Sequence, residues 1–166
     1  MSNAPISEIK IRNIQSSDNA ALAKIVRDTL VEFGANHPNT VYYDSRTDFL
    51  YESFQTPRST YFVAEKNEKI LGGGGIYPTL NLPENTCELV KMYLLPEARG
   101  IGLGRILIEK CLQAAEENGY KYVYLETMPE LKQALTIYAK FGFNYLKAPM
   151  GNSGHSGCSM WMIRNL

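Results

Sequence analysis

A strand that runs into a glycine-rich loop and then directly into a helix is the feature that most limits what this chain can fold into. The run CELVKMYLL, residues 87–95, reads as a strand, broken by Pro96 and by the loop RGIGLG at residues 99–104. Leu103, Leu107, Ile108, Cys111, Leu112 and Ala115 then fall on one helical face. Arg105, Glu109, Lys110, Gln113 and Glu116 take the opposite face, and Gly119 ends the helix. The segment KYVYLET, residues 121–127, reads as the next strand. Strand, helix and strand in this order require a crossover that leaves the two strands parallel.

The flanking segments call for antiparallel additions. YFVAEK and ILGGGGIY, joined at Asn67-Glu68-Lys69, read as a hairpin. Ile9 and Ile11 alternate with Lys10 and Arg12 in a strand. Leu22, Ile25, Val26, Leu30 and Phe33 form a helical stripe stopped by Gly34, and a shorter helix is expected around Asp48–Phe54. PELKQALTIYAKFG reads as a helix closed by Gly142, and FNYLKA and SMWMIR as a last pair of strands around the loop MGNSGHSG. The expected fold is α+β in a single domain over residues 1–166: a mixed, mostly antiparallel central sheet with one parallel β-α-β unit and helices on both faces. Gly72–Gly75 would make a weak strand. Either the strand is bulged or flexible there, or something lies close against its backbone.

Composition removes several classes of function. Seventeen basic and seventeen acidic residues cancel, which argues against general binding to a nucleic-acid backbone. No apolar run approaches the length of a membrane span, and the N-terminal residues lack a signal-peptide core. Three scattered cysteines, Cys87, Cys111 and Cys158, do not make a disulfide framework, and a cytoplasmic location is expected. His155 and Cys158 form an H-x-x-C pair without the further ligands zinc would need, so no metal is expected.

Glycine at 100, 102 and 104 lets backbone wrap an anion, and the loop feeds a helix N-terminus whose N–H groups favour phosphate. Arg99 adds a full charge at the rim. A dinucleotide loop would need glycine at 105 or 107, where Arg105 and Leu107 stand, and no GK[ST] follows for a P-loop.

The pattern [RQ]-x-x-G-x-[GA], matched by Arg99, Gly102 and Gly104, resembles the acetyl-coenzyme A signature of the GNAT N-acetyltransferase superfamily. Tyr138, shortly before Gly142-Phe143, extends the likeness, which is close over roughly residues 60–147 and holds in element order for the whole chain. The resemblance implies a GNAT fold with acetyl-CoA as donor. Backbone N–H groups of Gly100, Ile101, Gly102, Leu103, Gly104 and Arg105 would cradle the pyrophosphate. The preceding strand would splay from its neighbour near Met92–Leu94 to admit the pantetheine arm, and the Met92 N–H would face the thioester carbonyl. Tyr138 would be the acid. Leu131 stands where many relatives carry an asparagine that touches the arm.

Glu88 is the candidate base, acting on the acceptor amine through a water relay, since four strand residues span about 13 Å. Simple alternation puts it on one strand face with Val90, Met92 and Leu94, where a carboxylate must be solvated, paired or protonated. A structural ion pair is the competing role for it, and Glu126 is the rival carboxylate. His155 is read as a pocket residue, a relay or a plain loop histidine, and Tyr42, Tyr43 and Asp44 as amine contacts or solvated loop. The expected reaction is direct acetyl transfer to an amine of a small molecule, amino acid or peptide. The alternatives are a non-catalytic acetyl-CoA sensor or transfer of a longer acyl group. A homodimer is left open.

Overall fold

The computed structural model describes residues 6–166. Seven strands alternate with four helices: β1 (Lys10–Asn13), α1 (Asn19–Glu32), α2 (Leu50–Ser53), β2 (Thr60–Lys66), β3 (Lys69–Tyr77), β4 (Thr86–Leu94), α3 (Leu103–Glu117), β5 (Tyr122–Thr127), α4 (Lys132–Lys140), β6 (Asn144–Leu146) and β7 (Met160–Asn165). One sheet holds them in the order β1-β2-β3-β4-β5-β7-β6. Among the described residues only β4 and β5 are parallel, joined through α3 as the crossover rule requires. The strand β7 inserts between β5 and β6, so the closing hairpin adds its second strand to the interior.

The helices divide the core between the two faces of the sheet. On one face Ile108, Cys111 and Leu112 of α3 and Tyr138 of α4 pack on Ile76, Cys87, Leu89, Val123 and Leu125. On the other, Leu22 of α1 and Leu50 of α2 meet Tyr61 and Val63, while Val26 and Leu30 meet Met128 and Cys158. The short helix expected over Asp48–Phe54 is a 3-10 turn, Ser45–Phe49, running into a single α-turn at Leu50–Ser53. The β2–β3 turn is tighter than expected. Asn67 and Glu68 both take positive φ, the two-residue geometry that suits hairpin twist, and Lys69 already belongs to β3. No helix among the described residues is long and apolar enough to cross a membrane.

The glycine run is explained by protein packed against protein. A Cβ on Gly73 would lie 2.3 Å from the Phe62 carbonyl oxygen and 2.7 Å from the Tyr61 ring, and one on Gly74 would lie 2.2 Å from the Met92 side chain. Tyr61 fills the space that side chains at 73 and 75 would need, and it is only 1% exposed.

That packing bears on a bulge in β4. Gly73 pairs with Tyr93 but Gly75 pairs with Val90, so β4 carries one extra residue there, and Lys91 takes φ +51°. The Tyr61 hydroxyl donates to the Lys91 carbonyl at 2.8 Å. The bulge corrects the alternation expected from sequence. Val90 packs on the α1 side with Tyr61 and Leu22, whereas Met92 and Leu94 pack on the α3 side near Leu103. Glu88 therefore does not share a face with Met92 and Leu94.

Candidate active site

The parallel pairing of β4 with β5 covers only Thr86–Tyr122, Cys87–Val123 and Glu88–Tyr124. Beyond Glu88 the strands part, earlier than the Met92–Leu94 position expected, and the inter-strand hydrogen-bonding groups of that edge lose their neighbour. The gap is a cavity of about 300 Å³. Its walls bring together Glu88, Met92, Leu94, Arg99, Gly100, Gly102, Gly104, Arg105 and Tyr138. Ile101 and Leu103 are not on the wall. Leu103 is buried with Leu107 and Ala98, and Ile101 packs against that cluster. Leu131 is on the wall, so the place of the family's asparagine contact is apolar here.

At one end the loop before α3 is shaped for an anion. Gly100 has φ +75° and Gly102 φ +88°, a conformation that favours glycine, and none of the described residues lies within 4 Å of a Cβ built on Gly100. Among the described residues no side chain caps α3, which leaves its first-turn N–H groups open. Arg99 is held by its Nε donating to the Leu94 carbonyl at 3.0 Å and by Glu32 at 2.5 Å. Its Nη2 is buried with no hydrogen-bond partner among the described residues. A desolvated guanidinium N–H beside an open helix terminus is suited to a phosphate oxygen.

At the other end lies Glu88, 4% exposed, with the Thr79 hydroxyl donating to it at 3.5 Å. Burial, with the charge of Glu126 adding, raises its pKa to about 8, so it is mostly protonated at neutral pH. Glu126 is held in a network: Tyr124 donates to it at 2.7 Å, Ser153 donates to its other oxygen, and the Met150 N–H donates to Tyr124 at 3.0 Å. Tyr138 is 8% exposed and packs edge-on to Phe143. Burial pushes its phenol above the ordinary value, which keeps the proton on it.

A second cavity, about 440 Å³, adjoins the first and shares Glu88, Val90, Lys91 and His155 with it. His155 Nε2 lies 2.7 Å from Asp44, and burial, partly offset by Asp44, lowers the imidazole pKa and favours the neutral ring. Burial alone would raise the Asp44 pKa, but hydrogen bonds from Arg46 and His155 outweigh it and hold the carboxyl below its usual range. Tyr42, Tyr43 and Asp44 line neither cavity, whereas Arg46, two residues on, lines the second. Lys91 and Arg46 were not foreseen as site residues. The lysine's position depends on the bulge, which a period-two reading of β4 cannot show. Cys158 is on the first wall, but burial raises its thiol pKa to about 12, which leaves little thiolate.

Residues 22–143 match the Acetyltransferase (GNAT) family. The chain is 38% identical over 165 residues, 98% of each chain, to the uncharacterized N-acetyltransferase YjgM of Escherichia coli (strain K12). A GNAT-family acetyltransferase from Staphylococcus aureus Mu50 has the same fold, with a TM-score of 0.82 at 20% identity over 95% of this chain and 98% of that one. The yncA protein of Salmonella typhimurium, solved with its cofactor acetyl-CoA, gives 0.72 at 20% identity over 95% and 94%. With an open glycine cradle, parted parallel strands and a family match spanning most of its length, the chain belongs to the GNAT acetyltransferase family of enzymes.

Proposed function

We propose that the protein transfers an acetyl group from acetyl-CoA directly to an amine of a small molecule, amino acid or peptide. The observation that carries this reading is the pair of adjoining cavities that share a wall at Glu88, Val90, Lys91 and His155. One cavity ends at the phosphate cradle and can take the donor; the other takes the acceptor. The residues present fit the donor. The cradle glycines leave room, Arg99 keeps an unpaired buried N–H, and the β4 edge past Glu88 can pair with an extended arm. Bound there, acetyl-CoA would supply the activated acyl group.

The rest of the chemistry is assigned to side chains and backbone. The Met92 N–H, beside the bulge, is the candidate donor to developing negative charge on a carbonyl oxygen. Glu88, with a pKa near 8, becomes a competent base as pH approaches that value and takes the proton of the acceptor ammonium. Tyr138 faces a stricter limit. A thiol has a pKa of about 8.5, so full proton transfer from a phenol above 10 is uphill by at least about 2 kcal/mol. Its role is a hydrogen bond to the departing sulfur, which completes as a proton transfer only with solvent. The raised thiol of Cys158 removes the nucleophile that a two-step route would need and favours direct transfer.

The test is thiol release from acetyl-CoA with a panel of amines, alongside acetyl-CoA titration. Tyr138→Phe and Glu88→Gln should slow release while leaving acetyl-CoA binding within about threefold. Arg99→Met should weaken acetyl-CoA binding roughly tenfold or more, since it removes a charge-assisted contact. Binding without release on any amine would reject the proposal.

A further inference from the structure

The second cavity is lined by a lysine that the proposed chemistry does not use. Lys91 lines both cavities, and its ammonium makes no hydrogen bond or salt bridge among the described residues. Its place is imposed by the fold. The bulge gives Lys91 φ +51°, Tyr61 holds its carbonyl, and the residues on either side turn to opposite faces of the sheet. The nearby charged groups are already engaged or neutral. Asp44 is bound by Arg46 and by His155, Glu126 by Ser153 and Tyr124, and Glu88 is largely protonated. Burial lowers the Lys91 pKa, with Asp44 and Glu88 offsetting this in part. An anion brought to that amine would favour its protonated form. The remaining wall includes Leu50, Phe54, Tyr77, Leu80 and Val90, an apolar surface next to this cation.

We infer that Lys91 anchors a carboxylate on the acceptor, and that the acceptor is an α-amino acid with an apolar side chain. The inference rests on the reading of the second cavity as the acceptor pocket. The carboxylate pairs with Lys91, the side chain lies on the Leu50, Phe54 and Tyr77 wall, and the amine is left toward Glu88 and the first cavity. Arg46 sits at the same cavity but is spent on Asp44 and on the Ser153 carbonyl, which makes Lys91 the free partner.

The test reads binding, so it does not depend on turnover. N-acetyl-L-leucine, its amide and N-acetyl-L-aspartate are titrated calorimetrically into wild type and Lys91→Met, with CoA present. Methionine keeps the unbranched stem, and acetyl-CoA titration of the variant checks that the donor cavity is intact. The acid should bind wild type at least roughly tenfold tighter than the amide, as expected for a hydrogen bond to a charged group. That preference should vanish in Lys91→Met, and Lys91→Arg should restore part of it. N-acetyl-L-aspartate should bind more weakly than N-acetyl-L-leucine. Equal binding of acid and amide, or no binding of either, would overturn the inference even if acetyl-CoA binds. A preference that survives in Lys91→Met would overturn the assignment to Lys91. Loss of acetyl-CoA binding by wild type would instead count against the proposed donor site.

Discussion

Tyr61→Phe removes one oxygen atom from a packed interior and isolates the device that holds the β4 bulge. The ring still fills the space above Gly73 and Gly75, so no cavity opens beyond the hydroxyl. What is lost is the 2.8 Å hydrogen bond to the Lys91 carbonyl, which lies partly buried between the strands. Leaving such an acceptor unpaired costs about 1–2 kcal/mol. For a domain of this size, about 2–4 °C of melting temperature per kcal/mol gives a fall of about 2–8 °C. Because the bulge turns Lys91 and Met92 toward the cavities, the same change should also raise the acceptor KM and lower kcat. Tyr120→Phe is the control. Its hydroxyl donates to the Arg58 carbonyl at 2.9 Å, and Tyr120 lines neither cavity. It should lose comparable stability without a kinetic change. Thermal denaturation and steady-state thiol release on both variants decide the matter. A shift below about 1 °C for Tyr61→Phe, or equal kinetic loss in both variants, would refute the coupling of Tyr61 to the site.

Gly73→Ala should cost about 3 kcal/mol or more, since its methyl meets backbone of the neighbouring strand at 2.3 Å; urea denaturation measures it. Glu88→Gln should stabilise the fold at high pH. The folded-state pKa of about 8 lies above the unfolded value of 4.5, so wild type loses stability as pH rises from 4.5 to about 8, where the loss is complete, while the variant does not. Its melting temperature should exceed wild type by at least about 3 °C at pH 8.5 and converge with it near pH 4.5. Asp18→Asn should cost about 2 kcal/mol at pH 7, because Asp18 receives Arg12 at 2.8 and 2.9 Å and the Gln15 N–H at 2.7 Å. Burial opposes the Asp18 carboxylate, but Arg12 outweighs it and lowers the pKa. The difference should therefore be present above pH 4 and shrink as pH falls through the acid range.

Much of the fold follows from local chemistry that a linear chain displays. The stripe Leu103, Leu107, Ile108, Cys111 specifies α3 and its buried face; the loop glycines at 100 and 102 specify a left-handed entry to it, and both do take positive φ. The single parallel pair follows because a strand, a helix and a strand in that order allow little else. Glycines 72–75 leave a bulged strand and a close approach equally open, and the approach comes from Tyr61 and Met92 on two other strands, which the local sequence does not show. Arg99 and Tyr138, singled out through the resemblance of their motifs to a known family, do lie on the wall of one cavity.

What the tertiary structure alone decided lies where a regular element breaks. A period-two strand places Glu88, Val90, Met92 and Leu94 on one face, but one extra residue at Lys91 reverses the second half of β4. No local signal at Lys91 requires a left-handed conformation. It occurs where Gly73–Gly75, the Tyr61 hydroxyl and the parting of β4 from β5 meet, all contributed by segments distant in sequence. The fixing of Glu126 by Ser153 and the place of Lys91 on both cavities likewise depend on segments distant in sequence. Periodicity reports which side a residue favours within its own element. The partners it meets depend on long-range packing, which is why the framework of this enzyme and the cost of a carboxylate at Glu88 could be read from its sequence, while the places of Lys91 and Arg46 could not.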